Sequence, residues 1–127
     1  MGSAPVRRPG HIDRKRARAM EQAYFSVAVH RDGATLRLRL AGEFDWAVIG
    51  HVEGALEKAL GVATEQIVFD LSALEFLDLA GLKTILRAHE RAQREHSKVT
   101  VIRPRGRANA IFALTRADET LAMVEDM

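Results

Sequence analysis

The chain contains no cysteine in its 127 residues. Disulfides, thiolate nucleophiles and cysteine-ligated zinc are excluded, and the composition agrees with a reducing compartment such as the cytoplasm. Aromatic side chains make up only 6% of the chain, with one Trp and one Tyr. No stretch approaches the roughly 18 apolar residues that a spanning helix needs, so no membrane span is expected. Residues 1–20 lack the apolar core of a secretory signal. No pair of the five histidines has the spacing of a His-Glu-x-x-His zinc site, and no Gly-x-Ser-x-Gly elbow is present. Gly81-Leu82-Lys83-Thr84 lacks the upstream glycine and the Gly-Lys pair of a phosphate loop. No catalytic residue, metal or cofactor is expected.

What remains is enough for one core. Apolar residues are 47% of the chain, which has the size of one domain. The net charge of +2 is unevenly spread. Arg7, Arg8, Arg14, Lys15, Arg16 and Arg18 stand against Asp13, so residues 1–20 carry +5 and residues 21–127 carry −3. The boundary at residue 20 divides a disordered basic leader from a folded domain over 21–127. The leader could be an electrostatic arm for nucleic acid or anionic lipid. It has no aromatic interleaving for base stacking, and a solvated tail is the plainer reading.

Tyr24–His30 and Ala34–Ala41 alternate apolar and polar residues around Asp32-Gly33, which reads as a β-hairpin. The period then becomes helical. Asp45 stands before a stripe of Val48, Ile49, Val52, Leu56 and Leu60, with Gly61 as the C-terminal stop. Gln66–Leu71 reads as a buried strand. Asp78 caps a second helix with Leu79, Leu82, Ile85, Leu86 and His89 inward. Val99–Ile102 is a third buried strand, Arg107–Leu114 a third helix, and Leu121, Met123 and Val124 pack down to close the core. The order implies an α/β fold: a four-stranded mixed sheet, N-terminal hairpin then parallel strands, covered by helices in a single domain.

The segment Gln66–Ala92, QIVFDLSALEFLDLAGLKTILRAHERA, resembles the signature of STAS domains, the anti-sigma factor antagonists and their relatives. The matching residues are Asp70, Leu71, Phe76, Asp78, Leu79, Ala80, Gly81 and Leu82. Leu38–Asp45 is similar to the family's strand and Gly-Glu-x-Asp element. Phe112–Ala117 is similar to its Phe-x-Leu-Thr-Gly-Leu segment, with Arg116 and Ala117 in the Gly and Leu places. The resemblance implies a non-catalytic interaction module that docks on a serine/threonine-kinase-like anti-sigma factor as a monomer or weak dimer. It implies partner contacts at Asp45, Asp78, Leu79, Ala80, Gly81, Leu82 and Lys83. It also implies a phospho-switch two residues after the loop Asp, where a dianion would weaken docking. That position is Ala80, which has no oxygen. Ser72 and Thr84 are the substitute hydroxyls, read as a loop or cap hydrogen bond and a surface helix position. The alternatives are a STAS subunit of a lipid-transport ATPase complex, a stress-signalling scaffold, or nucleic-acid binding through residues 1–20.

Overall fold

The computed structural model describes residues 3–6, 24–60 and 63–126. Strands β2 (Phe25–Asp32) and β3 (Thr35–Phe44) form the expected hairpin. Its two-residue turn is Gly33-Ala34, with Gly33 at φ +60, which side chains other than glycine rarely adopt. β4 (Gln66–Leu77) lies parallel to β3, and β5 (Lys98–Ile102) parallel to β4. β4 is longer than the run read from the sequence. Its apolar spacing changes after Leu71, but backbone pairing with β3 continues to Phe44↔Leu77. The register slips twice, between Arg39 and Ala41 and between Gly42 and Glu43.

Two short strands extend the expected four. β6 (Ala122–Val124) pairs parallel to β5, so Met123 and Val124 close the core as a strand. β1 (Ser3–Val6) pairs antiparallel to β2, within the stretch read as a leader. Pro5 suits this edge, where one row of backbone donors has no neighbour to serve. The rest of residues 1–20, and Gly61, lie outside the described residues.

Three α-helices follow the strands: α1 (Ile49–Ala59), α2 (Leu79–Arg94) and α3 (Ala110–Leu114). The third is shorter than expected, because Gly106–Asn109 form a 3-10 turn before it. Right-handed crossovers between adjacent parallel strands place the helices on one face of the sheet. There Leu36, Leu38 and Leu40 of β3 and Ile67, Phe69 and Leu71 of β4 meet Val52 and Leu56 of α1, Leu82 and Ile85 of α2, and Phe112 of α3 in one core. Arg31 fastens the hairpin to the end of α1 by donating to the Ala59 carbonyl at 2.7 Å and the Thr64 hydroxyl at 2.8 Å. Two apolar residues do not join the core as the stripes suggested. Leu79 is 50% exposed because it opens α2 at the sheet end, and Leu114 is 83% exposed because α3 stops before completing a second turn.

Arg116 follows α3 in the left-handed region, at φ 62 and ψ 19. Glycine, which the resembling pattern has at this place, adopts that region without strain. A side chain in this conformation costs roughly 1–2 kcal/mol. Its exposed ion pair with Glu119, at 3.5 Å, returns little. Arg116→Gly should therefore stabilise the fold by about 1 kcal/mol, read as a higher midpoint in urea unfolding at unchanged slope.

Candidate functional site

The carboxyl ends of β3 and β4 and the starts of α1 and α2 meet at one end of the sheet. Asp78 joins them. Its Oδ1 accepts from the Gly81 amide at 2.7 Å and caps α2, while its Oδ2 accepts from the Trp46 amide at 2.9 Å, where the β3–α1 connection begins. The Asp78 amide in turn donates to the Phe44 carbonyl at 3.2 Å. Asp45 also caps: its Oδ1 accepts from the Ala47 amide at 3.0 Å. What it caps is a 3-10 turn, Trp46–Val48, that leads into α1.

Two glycines make this junction possible. A Cβ on Gly81 would stand 3.0 Å from the Phe44 carbonyl oxygen and 2.7 Å from Leu77 Cδ1. Hydrogen at that position lets the first turn of α2 press against the end of β3. Gly42 has φ +91, and a Cβ there would lie 2.1 Å from the Tyr24 carbonyl oxygen. That carbonyl instead accepts from the Glu43 amide at 3.0 Å, which holds the bend of β3.

Around the junction the surface is apolar. Trp46 is 73% exposed, Leu79 50% and Phe76 46%. Three large apolar side chains are thus left in water near one strand-to-helix junction. Ala80 is half-buried beside Leu79, and Lys83 is exposed one turn along α2. Gly81 and Leu82 are buried, so they shape this surface from beneath and do not line it. Of the residues expected to contact a partner, Asp45, Asp78, Leu79, Ala80 and Lys83 come together at the sheet end. Trp46 and Phe76 were missing from that set. Trp46 directly follows the capping Asp45, and Phe76 breaks the apolar alternation just before Asp78; both signals are visible only once the two caps are known to share one place.

The substitute hydroxyls have other duties. Thr84 is not a surface position. It is buried on the side of α2 that faces α1, and its Oγ1 donates to the Ala80 carbonyl at 3.1 Å. Ser72 lies in β4, not in a loop. Its hydroxyl donates to Asp70 Oδ1 at 2.6 Å, and its amide donates to the same oxygen at 3.0 Å. Arg37 donates to Asp70 Oδ2 at 2.7 Å. Among the described residues no group of three or more His, Asp or Glu side chains is placed to hold a metal ion.

Asp70 is buried, and burial by itself would raise its pKa. The Ser72 hydroxyl, the Arg37 guanidinium and the Ser72 amide together outweigh burial and hold it below its ordinary 3.8. A carboxyl whose folded pKa is depressed adds stability above the unfolded value and loses it as pH falls through the folded one. Acidification from about pH 5 to about pH 2 should therefore lower the melting temperature of the wild type more steeply than that of Asp70→Asn. At neutral pH the variant should be the less stable of the two. Asp78→Ala, which frees two amides, should cost about 1–3 kcal/mol in chemical denaturation. Asp78→Asn, which keeps one side-chain acceptor, should cost less.

A family model described as "Mlab, STAS domain" matches residues 27–125. No curated protein matches the sequence significantly. Among solved structures, an anti-sigma factor antagonist from Mycobacterium paratuberculosis is similar at 26% identity and a TM-score of 0.72, over 81% of this chain and 87% of that one. The anti-sigma factor antagonist SpoIIAA in its unphosphorylated form shares the fold at 16% identity and a TM-score of 0.68, over 77% of this chain and 87% of that one. The phosphorylated form of SpoIIAA, described as a Bacillus cell fate determinant, aligns with a TM-score of 0.62 at 16% identity, over 77% and 90% of the two chains. The matched segment holds most of β2, all of β3 to β6, both capping aspartates and the exposed junction between them: the chain belongs to the STAS domain family.

Proposed function

We propose that this chain is a non-catalytic docking module of the anti-sigma-factor-antagonist type, working in the cytoplasm on an anti-sigma factor of the serine/threonine-kinase-like class. The observation that carries the reading is the junction itself. Asp78 fixes two chain segments with one carboxylate, and Trp46, Phe76 and Leu79 stand exposed around it. A surface of this kind holds its shape before a partner arrives, so little ordering entropy opposes binding. The similarity to the M. paratuberculosis antagonist supports the class of partner. Among the described residues no helix is long and apolar enough to cross a membrane.

The phospho-switch is absent in this reading. Ala80 sits in the first turn of α2, where a phosphoserine would add about −1.5 to −2 charge at the docking surface. With a methyl group there the module stays in its binding form, and neither Ser72 nor Thr84 replaces the switch. Thr84 is buried, and the Ser72 hydroxyl is committed to Asp70.

Affinity capture from extracts of the native cell tests this with three baits: wild type, Ala80→Glu and Trp46→Ala. A kinase-like anti-sigma factor should be retained by the wild type and lost with either variant, each variant first shown to melt as the wild type does. Ala80→Ser should become a phosphate acceptor for the captured protein in the presence of ATP, and the modified form should dissociate. Equal capture by all baits overturns the reading. Retention of a transport ATPase instead would favour the competing one, a docked subunit of a lipid-transport complex.

A further inference from the structure

The loop that follows β5 reads Arg103-Pro104-Arg105-Gly106-Arg107. Arg103 is engaged, donating to Asn109 Oδ1 at 3.3 Å and lying 3.5 Å from Glu125 Oε1. Arg105 and Arg107 are exposed, and among the described residues neither forms an ion pair or a side-chain hydrogen bond. The loop that carries them is firm. Pro104 and Ala108 are buried on either side, Pro104 fixes its own φ, and Gly106 turns the chain at φ 63. The two guanidinium groups are thus displayed from an anchored backbone.

Their place decides what they are for. A charged loop elsewhere would be an ordinary solvated surface. β5 ends at Ile102, opposite Asp70, while β4 runs on to Leu77. The 3-10 turn Gly106–Asn109 packs against β4. The arginines therefore belong to the third of three adjacent loops at the carboxyl ends of three parallel strands. The first connection carries Trp46, and the second is flanked by Phe76 near the end of β4 and Leu79 at the start of α2. Lys83, exposed and without a partner among the described residues, adds a third cation one turn along α2 from Leu79. The acidic groups at this end are Glu43, Asp45, Glu75 and Asp78 and, after the parallel β6, Glu125 and Asp126, of which Glu125 is paired with Arg103. Asp45 and Asp78 point carboxylate oxygens at backbone amides. Glu43 and Asp45 belong to the β3 side, away from the arginine loop. The guanidinium groups of Arg105 and Arg107 thus stand on the far side of β4 from Glu43 and Asp45, with Glu75, Asp126 and the Arg103–Glu125 pair at the same end of the sheet.

We infer that this surface takes an acidic, leucine-bearing amphipathic segment of another protein, its apolar side chains on Trp46, Phe76 and Leu79 and its carboxylates on Arg105, Arg107 and Lys83. The inference rests on the docking reading above and adds the chemistry of the partner to it. Guanidinium groups pair with carboxylates through two parallel hydrogen bonds, which fixes the orientation of the segment as well as attracting it. Charge complementarity of this kind also speeds encounter and rejects basic partners.

The probes are three synthetic helical peptides with one shared leucine face and glutamate, glutamine or lysine on the other. Trp46 is the single tryptophan of the chain, so its emission reports on this surface alone. The glutamate peptide should shift that emission to the blue and bind roughly tenfold more tightly than the glutamine peptide, with no binding of the lysine peptide. Raising salt from about 0.05 M to about 0.5 M should remove the advantage. The double variant Arg105→Glu/Arg107→Glu should lose about tenfold in affinity for the glutamate peptide, while Lys58→Glu on exposed α1 should change nothing. Equal binding of the glutamate and glutamine peptides, no binding of either, or indifference to the double variant overturns the inference. So does binding to phosphatidylglycerol vesicles, or self-association, in place of peptide. The arginine variants leave Ala80 and Trp46 untouched. A partner captured through those two residues but indifferent to the arginines would sink the acidic preference and leave the docking reading intact.

Discussion

One carboxylate governs the end of this molecule where the first two helical crossovers begin. Asp78 accepts from the amide that opens α2 and from the amide that begins the β3–α1 connection. Its own amide is held by the last residue of β3. Most N-terminal caps satisfy one helix; this one ties two crossovers together. Without it, the first turns beyond the two strands would be tied only through the strand pairing behind them and the Asp78 amide on the Phe44 carbonyl. The exposed Trp46 and Leu79 inherit their fixed separation from that bond pair. A surface of turns and helix starts is thereby tied to the sheet beneath it.

The glycines serve the same end by different means. Gly81 removes a side chain where α2 presses on β3, and Gly42 removes one where β3 bends beside Tyr24. In each case a methyl group would meet backbone oxygen, which cannot rotate out of the way. Both positions fall in the segments that resemble the family pattern. The resemblance is thus explained by steric need at two backbone contacts and by one shared cap. Arg116 is the contrasting case. It occupies a left-handed position that suits glycine, yet it is exposed and cramped by nothing beyond its own backbone. The strain is tolerable because it is local.

Much of this was legible in the chain. The alternation of β2 and β3 and the caps at Asp45 and Asp78 are short-range signals, set within a few residues. The second half of β4 was not legible. Its residues lack a regular apolar pattern because Phe76 faces water, and only pairing with β3 holds them extended. The inward stripe of α2 misled at Leu79, since helical periodicity cannot show that the first turn projects past its neighbours. Thr84 misled in the opposite sense. A hydroxyl on a helix reads as surface, but here it donates a hydrogen bond to the Ala80 carbonyl and is buried. The shared place of the two caps was hidden for a related reason. Asp45 and Asp78 are 33 positions apart, and only the parallel pairing of β3 and β4 makes their neighbours one surface.

The order of strands across the sheet is also their order along the chain, from β1 to β6. No strand has to be inserted between two already paired. As synthesis proceeds from the N-terminus, each new strand finds its neighbour's open edge already displayed, and each helix is made in time to cover the pair it connects. Such a sheet can grow by addition at one border, much as a crystal face advances. Besides the outer border of β1, the edge left bare at any moment is the one awaiting the next segment. The short β6 ends that growth with three residues, too few to offer a stray chain a durable template.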